Sequence, residues 1–301
     1  MKLAIHMGLH KTASTSFQMV LDENRNFLCK AEILYPEVFD KAIYGLEDNP
    51  SHFIIPRRLL KNDLTYIKSY LDEALKLARQ KKMKTVLISS EDFETILIES
   101  FRATQIEKIA IDLGYEEIHW ICVLRNQWDY FNSLYAQLAE LQTLVSYEAA
   151  ANEVINYGEL SVSNGNTRWR FAFDYDFIIE NFLKKINGSF SAISFDNFVE
   201  GEIVGAKLLD EIIDNENLSN LFWKSDLNIA KERQAVRRAK DTVETDYLGN
   251  FLSVQMSKEV FSDNEKLFIP LIQHRLSYID SIKDDLKNRF SERFPKISNK
   301  I

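Results

Sequence analysis

The chain opens with an apolar run at residues 3–7 that stops at Gly8. Beyond a short polar stretch, Phe17, Val20, Leu21 and Leu28 fall near helical spacing from Ser14 to Leu28. This pattern predicts a strand, a polar loop and a helix. Residues 35–56 hold three of the five prolines and follow no period, which predicts a loop or lid. Leu64, Ile67, Leu71, Ala74, Leu75 and Ala78 mark an amphipathic helix. Its basic end (Arg79, Lys81, Lys82, Lys84) complements the negative pole of the helix dipole. A second strand is expected at 85–89, then a helix through Ile106, Ile109, Ala110 and Leu113 that stops at Gly114. A third strand at 118–124 leads into a long helix starting at Asn126 or Gln127 and running through Leu141. The stretch 143–167 is mixed, with a turn at 163–166, and is followed by a helix at 174–185 and a fourth strand at 190–194. From Val204 onward the pattern is mainly helical, and Ser262 with Glu265 has the spacing of a capping box.

Short strands alternating with helices predict an α/β fold, with a central, mainly parallel sheet flanked by helices in three layers. No repeat, low-complexity tract or long linker divides the chain. One domain over 1–301 is expected, with a core to about 215 and a helical C-terminal third from about 216.

Composition narrows the function. The chain has 301 residues, 46% hydrophobic and 27% charged, enough to bury a full core. A formal net charge of −8 argues against a general nucleic-acid or anionic-membrane binder, although a local basic pocket remains open. No apolar stretch reaches membrane-spanning length, and the start lacks a secretory pattern. Of the two cysteines, Cys29 and Cys122, the second lies in the third predicted strand, a poor place for a bridge. A reduced, cytoplasmic protein is expected.

The first loop reads Gly8-Leu9-His10-Lys11-Thr12-Ala13-Ser14-Thr15-Ser16. A loop between a strand and a helix aims backbone N–H groups and the positive helix end at one point, where a phosphate sits well. Lys11 adds a mobile charge, and Thr12, Ser14, Thr15 and Ser16 add hydroxyls. The plainer reading is a Ser/Thr-rich helix start on the surface. The Walker pattern fits badly, because Lys11 lies three residues after Gly8 with no second glycine before it. Farther along, Arg125 ends the third strand, where ligands of open α/β sheets bind. Ser133 follows eight residues later, about two helical turns on. The pair can grip one phosphate, although an isolated Arg125 is more often an ion-pair partner.

Together these two segments resemble the donor-binding motifs of PAPS-dependent sulfotransferases (PAPS, 3′-phosphoadenosine-5′-phosphosulfate), especially the bacterial, carbohydrate-type members. A further match, Ile193-Ser194-Phe195 with Asp196-Asn197-Phe198, is read as architectural, and the resemblance covers roughly residues 1–215. It implies a P-loop-like fold and transfer of sulfonate from PAPS to a hydroxyl or amine of a small-molecule or glycan acceptor. It implies that His10, Lys11, Thr12, Ala13, Ser14, Thr15 and Ser16 hold the 5′-phosphosulfate, with Lys11 on the leaving oxygen. Arg125 and Ser133 would hold the 3′-phosphate, PAP (3′,5′-bisphosphoadenosine) would be the product, and no metal would be required. Ala13 stands where the family usually has glycine; a positive φ there would cost roughly 1 kcal/mol. The proline usual near Gln127 is also absent.

Transfer needs a base for the acceptor proton. Glu91, just past the second strand, is the first candidate, with Asp92 or a histidine as substitute. The plain alternative is an acidic helix start favoured by the dipole. His6 is expected to be structural, and His10 is open between site and support. His52 is open between an acceptor contact and an exposed loop residue. His119 and His274 have no evident partner. No histidine pair has zinc-ligand spacing with cysteine or carboxylate support, so no metal is expected. The basic run 231–240 is a solvated helix face or a cover for the donor. The alternating aromatics Trp169, Phe171, Phe173, Tyr175 and Phe177 are core or a sugar-stacking surface. Two other readings stand beside the transferase: a P-loop kinase-like phosphotransferase, and a non-catalytic nucleotide-binding protein.

Overall fold

The computed structural model describes residues 1–38, 49–140, 146–164, 167–201, 203–213 and 265–294. The basic run 231–240 and the expected capping serine, Ser262, lie outside them.

The chain separates into two compact units. One holds Met1–Arg125 and the segment from Tyr175, and the other holds Asn126–Asp174 with the C-terminal helix. In the first unit a five-stranded parallel sheet is built from β1 (Lys2–Gly8), β2 (Ile33–Leu34), β3 (Thr85–Ser90), β4 (Glu117–Leu124) and the strand Ser189–Ser194. The order is β2-β3-β1-β4 and then Ser189–Ser194. The chain moves from β1 out to β2, back through β3, and across to β4. The order of connection reverses around β1, the position where open α/β sheets place their ligand crevice.

β1, β3 and β4 are buried almost throughout, as strands covered on both faces must be. Alternation divides their side chains between the two layers. On one face Ala4, Leu87, Ile121, Val123 and Ile193 pack with Phe17 and Leu21 of α1 (Ser14–Glu23), Leu28 of α2 (Arg25–Lys30), and Phe198, Leu208 and Leu209 from two later helices. The other face carries α3 (Ile54–Leu60), α4 (Leu64–Gln80), a 3₁₀ turn (Glu91–Phe93), α5 (Glu94–Ile98) and α6 (Phe101–Leu113). There the Trp120 indole donates to Glu107 of α6 at 2.9 Å, and the Tyr115 hydroxyl donates to the Leu71 carbonyl of α4 at 3.0 Å. Gly114 ends α6 at φ 98°, as its sequence position predicts.

In the second unit are α7 (Gln127–Glu140), α8 (Tyr147–Tyr157) and an antiparallel hairpin of β5 (Glu159–Asn164) and β6 (Thr167–Ala172). Its core is aromatic: Phe131 lies 5.2 Å from the rings of both Tyr147 and Phe290, and Tyr130 stacks on Phe173 at 4.8 Å. The alternating aromatics divide between the two units. Phe171 and Phe173 are buried in this one, whereas Tyr175 is buried and Phe177 exposed on α9 (Tyr175–Leu183) of the first. The remaining elements are β7, the strand Ser189–Ser194 already placed in the sheet, α10 (Phe195–Val199), α11 (Ala206–Ile212) and α12 (Glu265–Arg293). Among the described residues no helix is long and apolar enough to cross a membrane.

The proline-bearing stretch is not an open loop where it is described. Tyr35, Val38, His52 and Phe53 are buried. The Ser89 amide donates to His52 Nδ1 at 3.2 Å, and His52 Nε2 lies 3.1 Å from the Pro36 carbonyl. One acceptor and one donor nitrogen fix the tautomer and pin the segment beside β3. His52 is therefore a buried, structural residue and not an exposed loop histidine.

Candidate active site

The site candidates gather where β1, β3 and β4 end. The register aligns Met7 with Ser90 and with Cys122, and Leu124 with Ser194, so the four strands finish close to one level. The phosphate-type loop, Glu91, Arg125 and Phe195 all leave the sheet at that edge.

Gly8 is required by close approach, since a Cβ there would lie 1.8 Å from Ser14 Oγ. The Thr12 hydroxyl donates to the Leu9 carbonyl at 2.6 Å and is fully buried, so it braces the loop from inside and offers no hydroxyl to a ligand. Lys11 and Ala13 both take left-handed backbone, at φ 61° and 59°. Two such residues in one short loop store strain of the kind found at ligand clamps. α1 then starts on Ala13 with no side-chain cap and no acidic residue in its first turn. The positive end of its dipole is therefore not neutralised by a carboxylate of its own. Lys11 and Thr15 are exposed, Ser16 is half-buried, and Ser14 is buried against Gly8.

Ala13 occupies the position expected to favour glycine, and its backbone has the glycine conformation. Its methyl group is buried in the core cluster with Phe17 and Leu21. Burial of one methyl, worth about 0.8 kcal/mol, offsets most of the left-handed cost. Ala13→Gly should accordingly shift stability by no more than about 0.5 kcal/mol, whereas the β-branched Ala13→Val should cost about 2–3 kcal/mol. Urea unfolding of the two variants checks this.

His10 does not present its ring as a ligand to this loop surface. Its amide donates to Glu94 Oε2 at 3.0 Å, and Nδ1 lies 2.8 Å from the same oxygen. Nε2 is 3.7 Å from Asp92 Oδ1. Burial pulls the imidazole pKa down, but the hydrogen bond to Glu94 and the charges of Glu94, Asp92 and Glu91 together outweigh it. The pKa ends above the ordinary histidine value. The His10–Glu94 pair supports the loop from beneath. Glu94 escaped sequence reading; the available signal was a glutamate three residues after Glu91 in an otherwise apolar helix start, since glutamates are seldom fully buried without a partner.

The two base candidates differ in their surroundings. Asp92 accepts from Arg57 Nε at 2.6 Å and also faces His10. Glu91 is partly buried and accepts from the side-chain amide of Gln18 at 3.0 Å. Arg125 donates through Nη1 to the Lys11 carbonyl at 2.6 Å, and its guanidinium lies 4.6 Å from the Phe195 ring centre. The Tyr175 hydroxyl donates to the Arg125 carbonyl at 2.9 Å. The structure thus brings Arg125 against the loop that carries Lys11. Ser133 lies partly buried on α7 in the other unit.

The remaining histidines are structural where they are described. His6 Nδ1 is 2.8 Å from Ser89 Oγ, and burial lowers its pKa to about 3. His119 Nε2 is 2.8 Å from Ser191 Oγ, with its pKa lowered to about 4 first by burial and then by Lys2. The side chain of His274 lies outside the described residues. A groove of about 640 Å³ opens at the opposite edge of the sheet, lined in part by Glu107, Lys108, Glu117 and Asn187. Its buried carboxylate, Glu107, is committed to the Trp120 indole and to the amides of Asn187 and Gly188.

No protein-family model and no curated protein matches the sequence.

Proposed function

We propose that the chain is a PAPS-dependent sulfotransferase acting on a hydroxyl or amine, with a glycan or glycolipid as the favoured acceptor. The observation that carries this reading is the meeting of three groups at one sheet edge. An uncapped helix start with Lys11 suits a 5′-phosphosulfate, Arg125 bonded to that loop suits a second phosphate, and Glu91 suits the acceptor proton. In this reading the amide end of α1 and Lys11 hold the 5′-phosphosulfate, and Arg125 reaches the 3′-phosphate with the rest of its planar fork. Glu91 takes the acceptor proton as the acceptor oxygen or nitrogen bonds to sulfur. Lys11 meets the charge left on the bridging phosphate oxygen as its bond to sulfur breaks. The donor is a co-substrate, and no metal is assigned a step. We place the protein in the cytoplasm, where the buried thiol of Cys122 stays reduced.

Calorimetric titration with PAP, 5′-AMP and magnesium-ATP tests the donor. PAP is expected to bind most tightly. Arg125→Ala should weaken PAP by about 10- to 100-fold, the scale of a charged hydrogen bond, and weaken AMP much less. Equal losses for PAP and AMP would remove Arg125 from the 3′-phosphate. Preference for magnesium-ATP would favour a phosphotransferase, and PAP binding without transfer would favour a non-catalytic nucleotide binder.

A further inference from the structure

The buried face of α1 carries one long polar side chain, Gln18, only 1% exposed. A buried amide is costly unless its hydrogen bonds are made. Gln18 Nε2 makes two, to Glu91 Oε2 at 3.0 Å and to Ser89 Oγ at 3.3 Å. A carboxylate oxygen only accepts, which fixes the amide with its nitrogen toward Glu91. The Ser89 hydroxyl is in turn 2.8 Å from His6 Nδ1. Ser89 and His6 are both fully buried, and His6 is held neutral by that burial. An uncharged chain of contacts therefore runs from β1 through β3 and α1 to the Glu91 carboxylate just past the end of β3.

Gln18 also lies four residues after Ser14, on the same side of α1 and about 6 Å along its axis. One short helix thus presents its amide end to the phosphate-type loop and grips Glu91 one turn farther in. Sequence reading missed this because Gln18 and Glu91 are 73 residues apart.

We infer that Gln18 is a positioning residue for Glu91: it holds the carboxylate at a set distance from the donor loop, so that donor and base are registered by the same helix. This rests on the sulfotransferase reading, with Glu91 as base. Removing the amide donor frees the carboxylate to turn, and a displacement of about 1 Å in a reacting group can cost about 100-fold in rate.

The test uses the full chain with PAPS as donor and p-nitrophenyl glycosides as acceptor probes, read as PAP release, with PAP affinity measured separately. Gln18→Met keeps the volume and removes the donor. Its kcat should fall about 30- to 100-fold, with PAP affinity within about threefold of wild type. In the Glu91→Gln background the same change should add less than about threefold, because two residues acting through one carboxylate are not additive. A general packing defect would instead weaken PAP binding and multiply with Glu91→Gln. That multiplication, or a Gln18→Met kcat near wild type beside a slow Glu91→Gln, would overturn this inference and leave the sulfotransferase reading standing. No PAPS-dependent transfer by the wild type, or full activity of Glu91→Gln, would overturn the reading and the inference with it. Should Gln18→Met fail to fold, shown by loss of PAP binding and of cooperative melting, Ser89→Ala decides. Loss of the hydroxyl that orients the amide should lower kcat about tenfold with PAP affinity retained, and an unchanged kcat would overturn the inference.

Discussion

Lys11→Ala should lower sulfonate transfer about 100- to 1,000-fold while changing PAP affinity by less than about tenfold. In the proposed reaction the asymmetry follows from when the lysine acts. As the sulfur–oxygen bond breaks, charge grows on the bridging phosphate oxygen, and a cation there binds the transition state more strongly than the ground state. The loop geometry makes the variant a clean one. Lys11 holds left-handed backbone at φ 61°, and its carbonyl, the acceptor for Arg125, is kept in any substitution. Alanine tolerates this conformation about as well as lysine, as Ala13 already does two residues on at φ 59°. The loop should therefore keep its shape and lose only the ammonium group. Single-turnover PAPS consumption beside PAP calorimetry separates the two effects. Turnover within threefold of wild type would take Lys11 out of the mechanism, and a parallel collapse of PAP affinity would make it a simple binding residue.

The parts of the fold that could be read in the sequence are those with sustained pattern. The buried strands β1, β3 and β4 are short, mainly apolar runs, and α4 shows its stripe plainly. Pattern reading failed where elements are short or internally interrupted. β2 has two residues, too few for any period. The expected helix from Ser14 to Leu28 divides at Asn24, whose side-chain amide donates to the Val20 carbonyl at 2.8 Å. Such local bonding offers the backbone an alternative to continuing the helix. In the proline-bearing stretch, Pro56 falls in the first turn of α3, where its missing N–H costs little, so the proline marks a helix start as readily as a loop. The mixed stretch after residue 143 contains α8 and the β5–β6 hairpin.

The candidate site divides along similar lines. Lys11, Glu91 and Arg125 were legible as candidates because each lies within three residues of a strand end, and the C-terminal ends of parallel strands share one edge. Glu94, Gln18 and Arg57 were not, because their roles depend on pairings across 84, 73 and 35 residues. His10 was legible as a neighbour of the site, but whether it faces the ligand or the core depends on Glu94, a partner that only the folded chain supplies. The same holds for Ala13. The sequence raises the question of a positive φ, and the answer, with a buried methyl offsetting the strain, requires both the backbone and its packing.

Glu91→Gln should lower transfer about 100- to 10,000-fold, the range of a lost general base, with PAP affinity within about threefold of wild type. Glutamine keeps the size of the side chain, and its carbonyl oxygen can still accept from Gln18, so the geometry survives while the capacity to take a proton is lost. The rival acid is differently placed. Asp92 accepts from Arg57 Nε at 2.6 Å and has its other oxygen 3.7 Å from His10 Nε2, so its carboxylate is already engaged by side chains of the fold. Asp92→Asn should therefore cost less than about tenfold in turnover. Its effect should enter through the freed Arg57 and the altered support of the loop, and it should show in KM or stability at least as much as in kcat. Measuring kcat and KM for both variants with one acceptor decides between them. If Asp92→Asn is the slower enzyme, proton abstraction belongs to Asp92, and Arg57 becomes the group that tunes it. If both stay near wild type, the acceptor loses its proton to solvent, and the catalytic contribution of this sheet edge is confined to Lys11 and the donor loop.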